Sequence, residues 1–331
     1  MDYETENCSL SSPPAFLKSC SNGISNKKNG VEAPSYVAGI DLGGSHVTCK
    51  VFSSSGEEIQ SHSLPVKSRE VEAVIGTIVE CCQLCQVNGS TCRGLGIAVP
   101  GNVNPDLGTT RYLPNFGWLS EVHIGKLLSE KLSIHNIHLR NDGRCAALAE
   151  HKYGVGIGSK VFAMLTLGTG IGGALVINGA LFDGFSYDAG DFGHHVICSG
   201  REDAMDCVCG KRGCFEVQAS AEGLVRHYHR RGGEAKNALE VFQRLREGDE
   251  KAIQAFAIFK DNLATGLANL VTFYNPEIIA IGGGISKAPE LFEGLQEAVD
   301  SKTLPASRGI VKIFAASLHN EAGAIGAALL V

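Results

Sequence analysis

The stretch GHHVICSGREDAMDCVCGKRGC sets Cys207, Cys209 and Cys214 in a C-x-C-x4-C spacing, behind the adjacent His194 and His195. Three thiolates and one imidazole form the donor set of a tetrahedral structural zinc site. Gly210 and Gly213 let the short loop fold back so that Cys214 reaches the same ion. A closed site with four protein ligands offers no position to a substrate, so such a zinc would shape a pocket and take no part in the chemistry. Glu216 follows the last cysteine by two residues and would be held by whatever the metal fixes. The residues alone leave two points open: which histidine ligates, and whether the cysteines are only reduced core thiols.

A second chemistry is suggested by glycine turns. Asp41-Leu42-Gly43-Gly44-Ser45 follows an apolar run, and Gly168-Thr169-Gly170 follows another, with Gly172 and Gly173 just beyond. Glycines there let backbone N–H groups approach phosphate oxygens, and Ser45 and Thr169 add hydroxyl donors. Asp41 is suited to Mg²⁺, which favours carboxylates and phosphates. Two such turns at matching places read as a pair of clamps on one polyphosphate. A third cluster, Gly282-Gly283-Gly284, ends the run EIIAIGGG, where Gly283 and Gly284 would let an adenine ring lie against backbone. The rival, a dinucleotide site, needs G-x-G-x-x-G, and neither GGSHVT nor GGGISK supplies it.

A third group could handle a polyhydroxylated ligand. Asn141-Asp142 ends the short strand IHLR and opens the helical pattern RCAALAEHKYG. An acid at that place is either a helix cap or, at a cleft, a base that accepts the proton of an attacking hydroxyl. Asn115, in the irregular loop LPNFGW, carries an amide that can both donate to and accept from hydroxyls. Asp191, His194 and Glu216 gather around the cysteine loop.

The elements that must position these groups follow a repeated pattern. From Tyr36 the chain reads strand, glycine turn, strand, turn, strand, then a helix over 70–86 and the strand RGLGIAVPG. The segment VFAMLTLGTGIGGALVINGALF repeats that opening, with Asn178-Gly179 as a hairpin turn. Long helical patterns, the strands EIIAIGGG and IVKIFAA and a last helix from Asn320 complete an α/β chain. Among 331 residues, 44% are hydrophobic, enough for a large core; the net charge of −6 and the lack of a basic run argue against nucleic acid. No apolar run nears the roughly 20 residues needed to span a bilayer. Residues 1–35, rich in Ser, Asn and Pro, read as a disordered tail without a secretory signal. Nine of the twelve cysteines lie outside the knuckle in no framework spacing, which fits a reducing, cytoplasmic setting.

DLGGS, LPNFGW, ND-x-x-x-AALAE, TLGTGIGGALVINGALFDG, GDFGH and CVCGKRGCFE follow in the order seen in the ROK family of sugar kinases and sugar-responsive repressors, which this chain resembles from residue 36 to 331. The resemblance implies a two-domain actin-like ATPase (ribonuclease-H-like) fold with duplicated β-β-β-α units and a zinc knuckle. One domain would comprise 36–141 plus 317–331 and the other 142–316. It implies ATP, Mg²⁺ and structural Zn²⁺, with Asp142 as base and Asn115, Asn141, Asp142, His194 and Glu216 on the sugar. By the same resemblance His194, not His195, joins Cys207, Cys209 and Cys214. One departure stands out: Asp191 occupies a place where the family commonly has Glu, drawing the carboxylate back by one methylene. The activity expected is phosphorylation of a hexose at the 6-hydroxyl, glucose first, with N-acetylmannosamine or another hexose as the alternative. A homodimer or homotetramer is expected. A transcriptional regulator would need a helix-turn-helix, and the first 35 residues are neither basic nor helical in pattern.

Overall fold

The computed structural model describes residues 34–113 and 116–331, so the expected tail lies outside the described residues except for its last two. The first sheet is built from β1 (Ser35–Leu42), β2 (His46–Ser53), β3 (Glu58–Pro65), β4 (Thr91–Val99) and, later in the chain, the short strand Ile137–Asn141. Helix α1 (Val71–Leu84) precedes β4, and a small hairpin, β5 (Asn102–Asn104) and β6 (Thr109–Tyr112), leaves its end. Helix α2 (Ile124–Leu132) leads into Ile137–Asn141, which is β7. Strand order is β3-β2-β1-β4-β7, with β1 antiparallel to β2 and parallel to β4. The run GLGIAV of β4 is buried throughout, as expected of a central strand covered on both faces, whereas the edge strand β3 alternates with solvent.

After α3 (Asp142–Tyr153), the second sheet takes β8 (Val161–Leu167), β9 (Ile171–Ile177) and β10 (Ala180–Leu181). The short helices α4 (Phe215–Ala219), α5 (Ala221–His229) and α6 (Ala238–Arg246) and the long α7 (Glu250–Tyr274) then cover it. β11 (Ile278–Gly282), α8 (Leu295–Lys302), β12 (Lys312–Ala315) and α9 (Ala322–Ala328) close the chain. The order β10-β9-β8-β11-β12 repeats that of the first sheet, with the same antiparallel and parallel neighbours. α7 starts at Asp249, whose carboxylate accepts from the amides of Lys251 and Ala252 at 2.7 and 3.1 Å, and stops at Asn275 in the left-handed region before Pro276.

α3 and α9 lie between the sheets. α9 packs on β1 and β4, α3 packs on β8 and β9, and the two helices pack on each other. Glycines of the two strands permit this: a Cβ on Gly39 of β1 or Gly96 of β4 would come within 2.0 or 1.8 Å of the carbonyl oxygens of Ala324 and Ala327. The last helix begins two residues later than the sequence pattern suggests, because a 3-10 turn over His319–Glu321 precedes it. Glu150, fully buried on α3, holds the chain leading into that turn: it accepts from the Leu318 amide at 2.6 Å and the Ser317 hydroxyl at 3.0 Å.

Candidate functional site

Both sheets present the C-terminal ends of their parallel strands to the same region. In the first, Asp41 pairs with Ala98, and Val99 with Asn141; in the second, Gly282 pairs with Thr166. Crevices outside such strand ends are where α/β folds hold ligands. The two ends meet at α3, where a Cβ on Gly143 would lie 4.0 Å from Thr166.

Asn141 caps α3, its Oδ1 accepting from the Arg144 amide at 3.2 Å while its Nδ2 donates to Gly101 O at 3.0 Å. That relieves Asp142 of capping. Asp142 is the first helical residue, and its Oδ1 accepts from the Gly143 amide at 2.8 Å. Solvent reaches the side chain although protein surrounds it, the situation of a group on a cleft floor. The surrounding protein pushes its pKa up, with its hydrogen bonds and the Arg144 guanidinium opposing. Asp41 is pushed up to about 7, first by burial and then by the Asp142 charge, so the two carboxylates sense each other. One face of Asp41 is closed by α9, since a Cβ on Gly323 would come within 2.5 Å of its Oδ2.

Asp191 precedes a 3-10 turn that His194 ends, and burial raises the pKa of Asp191 against the field of Arg144. Arg144 is itself buried and donates to Ala189 O at 2.7 Å, which joins the start of α3 to this segment. Glu216 completes the group: its Oε2 accepts from the Ile171 amide at 2.9 Å. Phe215 anchors it from below, fully buried against α7 where Gly266 leaves room; a Cβ there would come within 2.2 Å of the ring. Gly193 sits beside it, where a Cβ would lie 3.2 Å from Glu216 Cβ. Asn115 lies outside the described residues.

The ligand atoms of His194, Cys207, Cys209 and Cys214 all lie within 4.8 Å of one another. Cys209 Sγ and Cys214 Sγ are 3.5 Å apart, and Cys207 Sγ is 3.7 Å from His194 Nδ1. Ligands on a tetrahedral zinc with Zn–S of about 2.3 Å stand about 3.8 Å apart, so the donor set and its spacing fit that ion. His195 turns elsewhere: its Nδ1 faces Phe192 O and its ring packs on Phe215.

In the first glycine turn Gly43 N donates to His46 O at 2.9 Å, and Gly44 and Ser45 are exposed. In the second, Gly168 N donates to Gly170 O at 3.0 Å and Gly168 O accepts from Ala221 N, tying the turn to α5. Gly170 has a role that the two-clamp reading misses, because a Cβ there would come within 2.3 Å of Glu216 Oε2. Gly283, at φ +91°, is likewise needed for internal packing, as a Cβ would meet Leu167 O at 2.3 Å; Gly284 is open. Thr169 lines two cavities. One, of about 480 Å³, also takes in Gly170, Asp206 and Glu216; the other, of about 380 Å³, takes in Ala221, Arg226, His229 and Lys236. The sequence reading passed over Arg144, whose only signal is its place three residues after the Asn cap.

The ROK family profile matches residues 37–331. The chain belongs to the ROK family. It is 30% identical to a glucokinase of Halalkalibacterium halodurans, over 89% of this chain and 94% of that one. It is 32% identical to an N-acetyl-D-glucosamine kinase of Pectobacterium atrosepticum, over 88% and 97%. Among solved structures, a ROK family glucokinase from Streptomyces griseus in complex with glucose and AMPPNP superposes with a TM-score of 0.73 at 25% identity, over 90% of this chain and 99% of that one. The α/β fold with its two mixed sheets is therefore that of ROK sugar kinases. Among the described residues no helix is long and apolar enough to cross a membrane.

Proposed function

We propose that this sugar kinase transfers the γ-phosphoryl group of ATP to the 6-hydroxyl of a hexose, glucose first. The observation that carries the reading is the exposed carboxylate of Asp142, not used to cap α3, at the meeting point of the two strand ends, with its pKa raised by the protein around it. A carboxylate so placed accepts the hydroxyl proton as the sugar oxygen bonds to phosphorus and the bond to the ADP oxygen breaks. Asn141, spent on its cap and on Gly101 O, keeps one N–H for the ligand. Asp191, His194 and Glu216 orient the ring hydroxyls, with Asn115 supplied by the loop before Phe116. The turns Gly43-Gly44-Ser45 and Gly168-Thr169-Gly170 hold the phosphates, with Gly283 and Gly284 at the base. Mg²⁺ held near Asp41 would neutralise phosphate charge.

Zn²⁺ on His194, Cys207, Cys209 and Cys214 would fix the start of α4, of which Cys214 is the cap, and with it Glu216. The repeated strand order supports an actin-like fold from a duplicated unit, with 36–141 and 317–331 as one domain and 142–316 as the other. A reducing, cytoplasmic setting fits thiols that are all free among the described residues. The relative named N-acetyl-D-glucosamine kinase supports a second reading, an N-acetylhexosamine substrate. A coupled ADP-release assay over glucose, mannose, fructose, N-acetylglucosamine and N-acetylmannosamine separates the two. Glucose is expected to give the highest kcat/KM; an N-acetylhexosamine well ahead of it would replace the sugar and keep the kinase.

A further inference from the structure

The segment between β10 and Asp191 is tied at both ends. Asp183 is paired with Arg140 at 3.2 Å and lies 4.0 Å from Arg144 Nε, and Ala189 O accepts from Arg144 at 2.7 Å. Its middle reaches the β5–β6 hairpin: the Tyr187 hydroxyl donates to the Asp106 carboxylate, and Asn102 Nδ2 donates to the Asp188 carboxylate. Ser186 Oγ steadies Asp188 by donating to its other oxygen at 3.0 Å. Tyr187 holds this place with φ at +66°. A bulky side chain in the left-handed region is an outlier, and such strain persists where the surroundings over-determine it. The reach has consequences at both ends. Asn102 follows Gly101, whose carbonyl holds the Asn141 amide, and Tyr187 lies four residues before Asp191.

We infer that Tyr187–Asp106 and Asp188–Asn102 form a clasp across the sugar end of the cleft, making Tyr187 a positioning residue for Asp191 and setting how readily the sugar leaves. The two halves of the clasp follow different sheets in the chain: the β5–β6 hairpin, a two-stranded sheet of its own, comes after β4 of the first five-stranded sheet, and the 182–190 segment comes after β10 of the second. Parting the sheets at the cleft mouth breaks both bonds. With the clasp intact, Asp191 and His194 meet the sugar in one arrangement; without it, the segment and its acid are free to shift. The inference rests on the kinase reading for its effect on turnover, but not for the contact itself.

Two measurements separate these. Amide hydrogen exchange on the ligand-free chain reads the contact alone: Tyr187→Phe removes one hydroxyl, and exchange should quicken both in 183–190 and in the β5–β6 hairpin opposite. Unchanged exchange in the hairpin overturns the clasp, whatever the substrate. In steady state, Tyr187→Phe should raise the KM for the preferred sugar about threefold to tenfold, as expected for one partly exposed hydrogen bond to a carboxylate, and leave kcat undiminished. Asp106→Ala should do the same, and the double variant should be no worse than either single one. Additive effects, or a fall in kcat at constant KM, would assign Tyr187 a purely structural part.

Discussion

Gly170→Ala is the substitution whose outcome the geometry fixes most sharply. Its backbone is not in the left-handed region, so alanine fits the main chain, and only the new methyl matters. That methyl would stand 2.3 Å from Glu216 Oε2 and 2.9 Å from its Cδ, too close by about an ångström, so the carboxylate must swing away. In doing so it gives up the 2.9 Å bond from the Ile171 amide. A hydrogen bond to a charged group contributes about 1.5–3 kcal/mol. If Glu216 needs that bond to meet the sugar, affinity falls by about ten- to 150-fold. The fold should survive, because the atom displaced is the far end of a flexible side chain. Gly168→Ala is the control, since a Cβ there meets nothing within 4 Å. Calorimetric titration of sugar without nucleotide gives the readout. Gly170→Ala should bind weakly and Gly168→Ala normally; if Gly170→Ala binds sugar within twofold of the wild type, Glu216 is not positioned as argued.

Zinc should copurify at one ion per chain, and Cys209→Ser or a chelator should weaken sugar binding before nucleotide binding, because structural zinc contributes on the order of 10 kcal/mol to local folding; active protein without zinc by elemental analysis would refute this. His227, 1% exposed and bonded to Gln218 O at 3.0 Å, has its pKa lowered from 6.5 to about 4, chiefly by burial, with Arg230 and Arg231 adding to the shift and Asp203 opposing it. The unfolded chain therefore takes up that proton first, so its contribution to stability is complete above about pH 6.5 and lost as pH falls towards 4, about 3 kcal/mol in all. Urea titrations at pH 7 and 4.5 on wild type and His227→Gln should show that slope in the first and not the second. Glu150→Ala should cost about 1.5–3 kcal/mol, because it removes a fully buried carboxylate that accepts from the half-buried Leu318 and Val155 amides and from the Ser317 hydroxyl; a melting temperature within two degrees of wild type would contradict it.

The elements were legible because their signals are local. Apolar runs ending in glycine turns marked β1 and β8, and a long helical pattern marked α7. The cysteine spacing pointed to the cluster that Cys207, Cys209 and Cys214 form, but the choice between two adjacent histidines depends on which ring turns towards the thiols, and that is set by the 3-10 turn and by the packing of His195 on Phe215. What stayed hidden is tertiary. Gly170 reads as a phosphate-loop glycine, and its second role exists only because Glu216, 46 residues on, is pressed against it. Nothing in the sequence near Tyr187 signals a left-handed backbone, since tyrosine is a poor choice for one. Asn102 and Asp106 carry no motif, and their partners, Asp188 and Tyr187, lie in the segment after β10, more than 80 residues on.

The central claim is that Asp142 takes the proton from the sugar hydroxyl. Asp142→Asn keeps the shape of the side chain and its acceptor for the Gly143 amide, so zinc content, melting temperature and sugar affinity should hold. Turnover should fall by about 10²- to 10⁴-fold, the range for loss of a general base. A variant that binds sugar normally and still turns over near the wild-type rate would remove Asp142 from the chemistry and contradict the account.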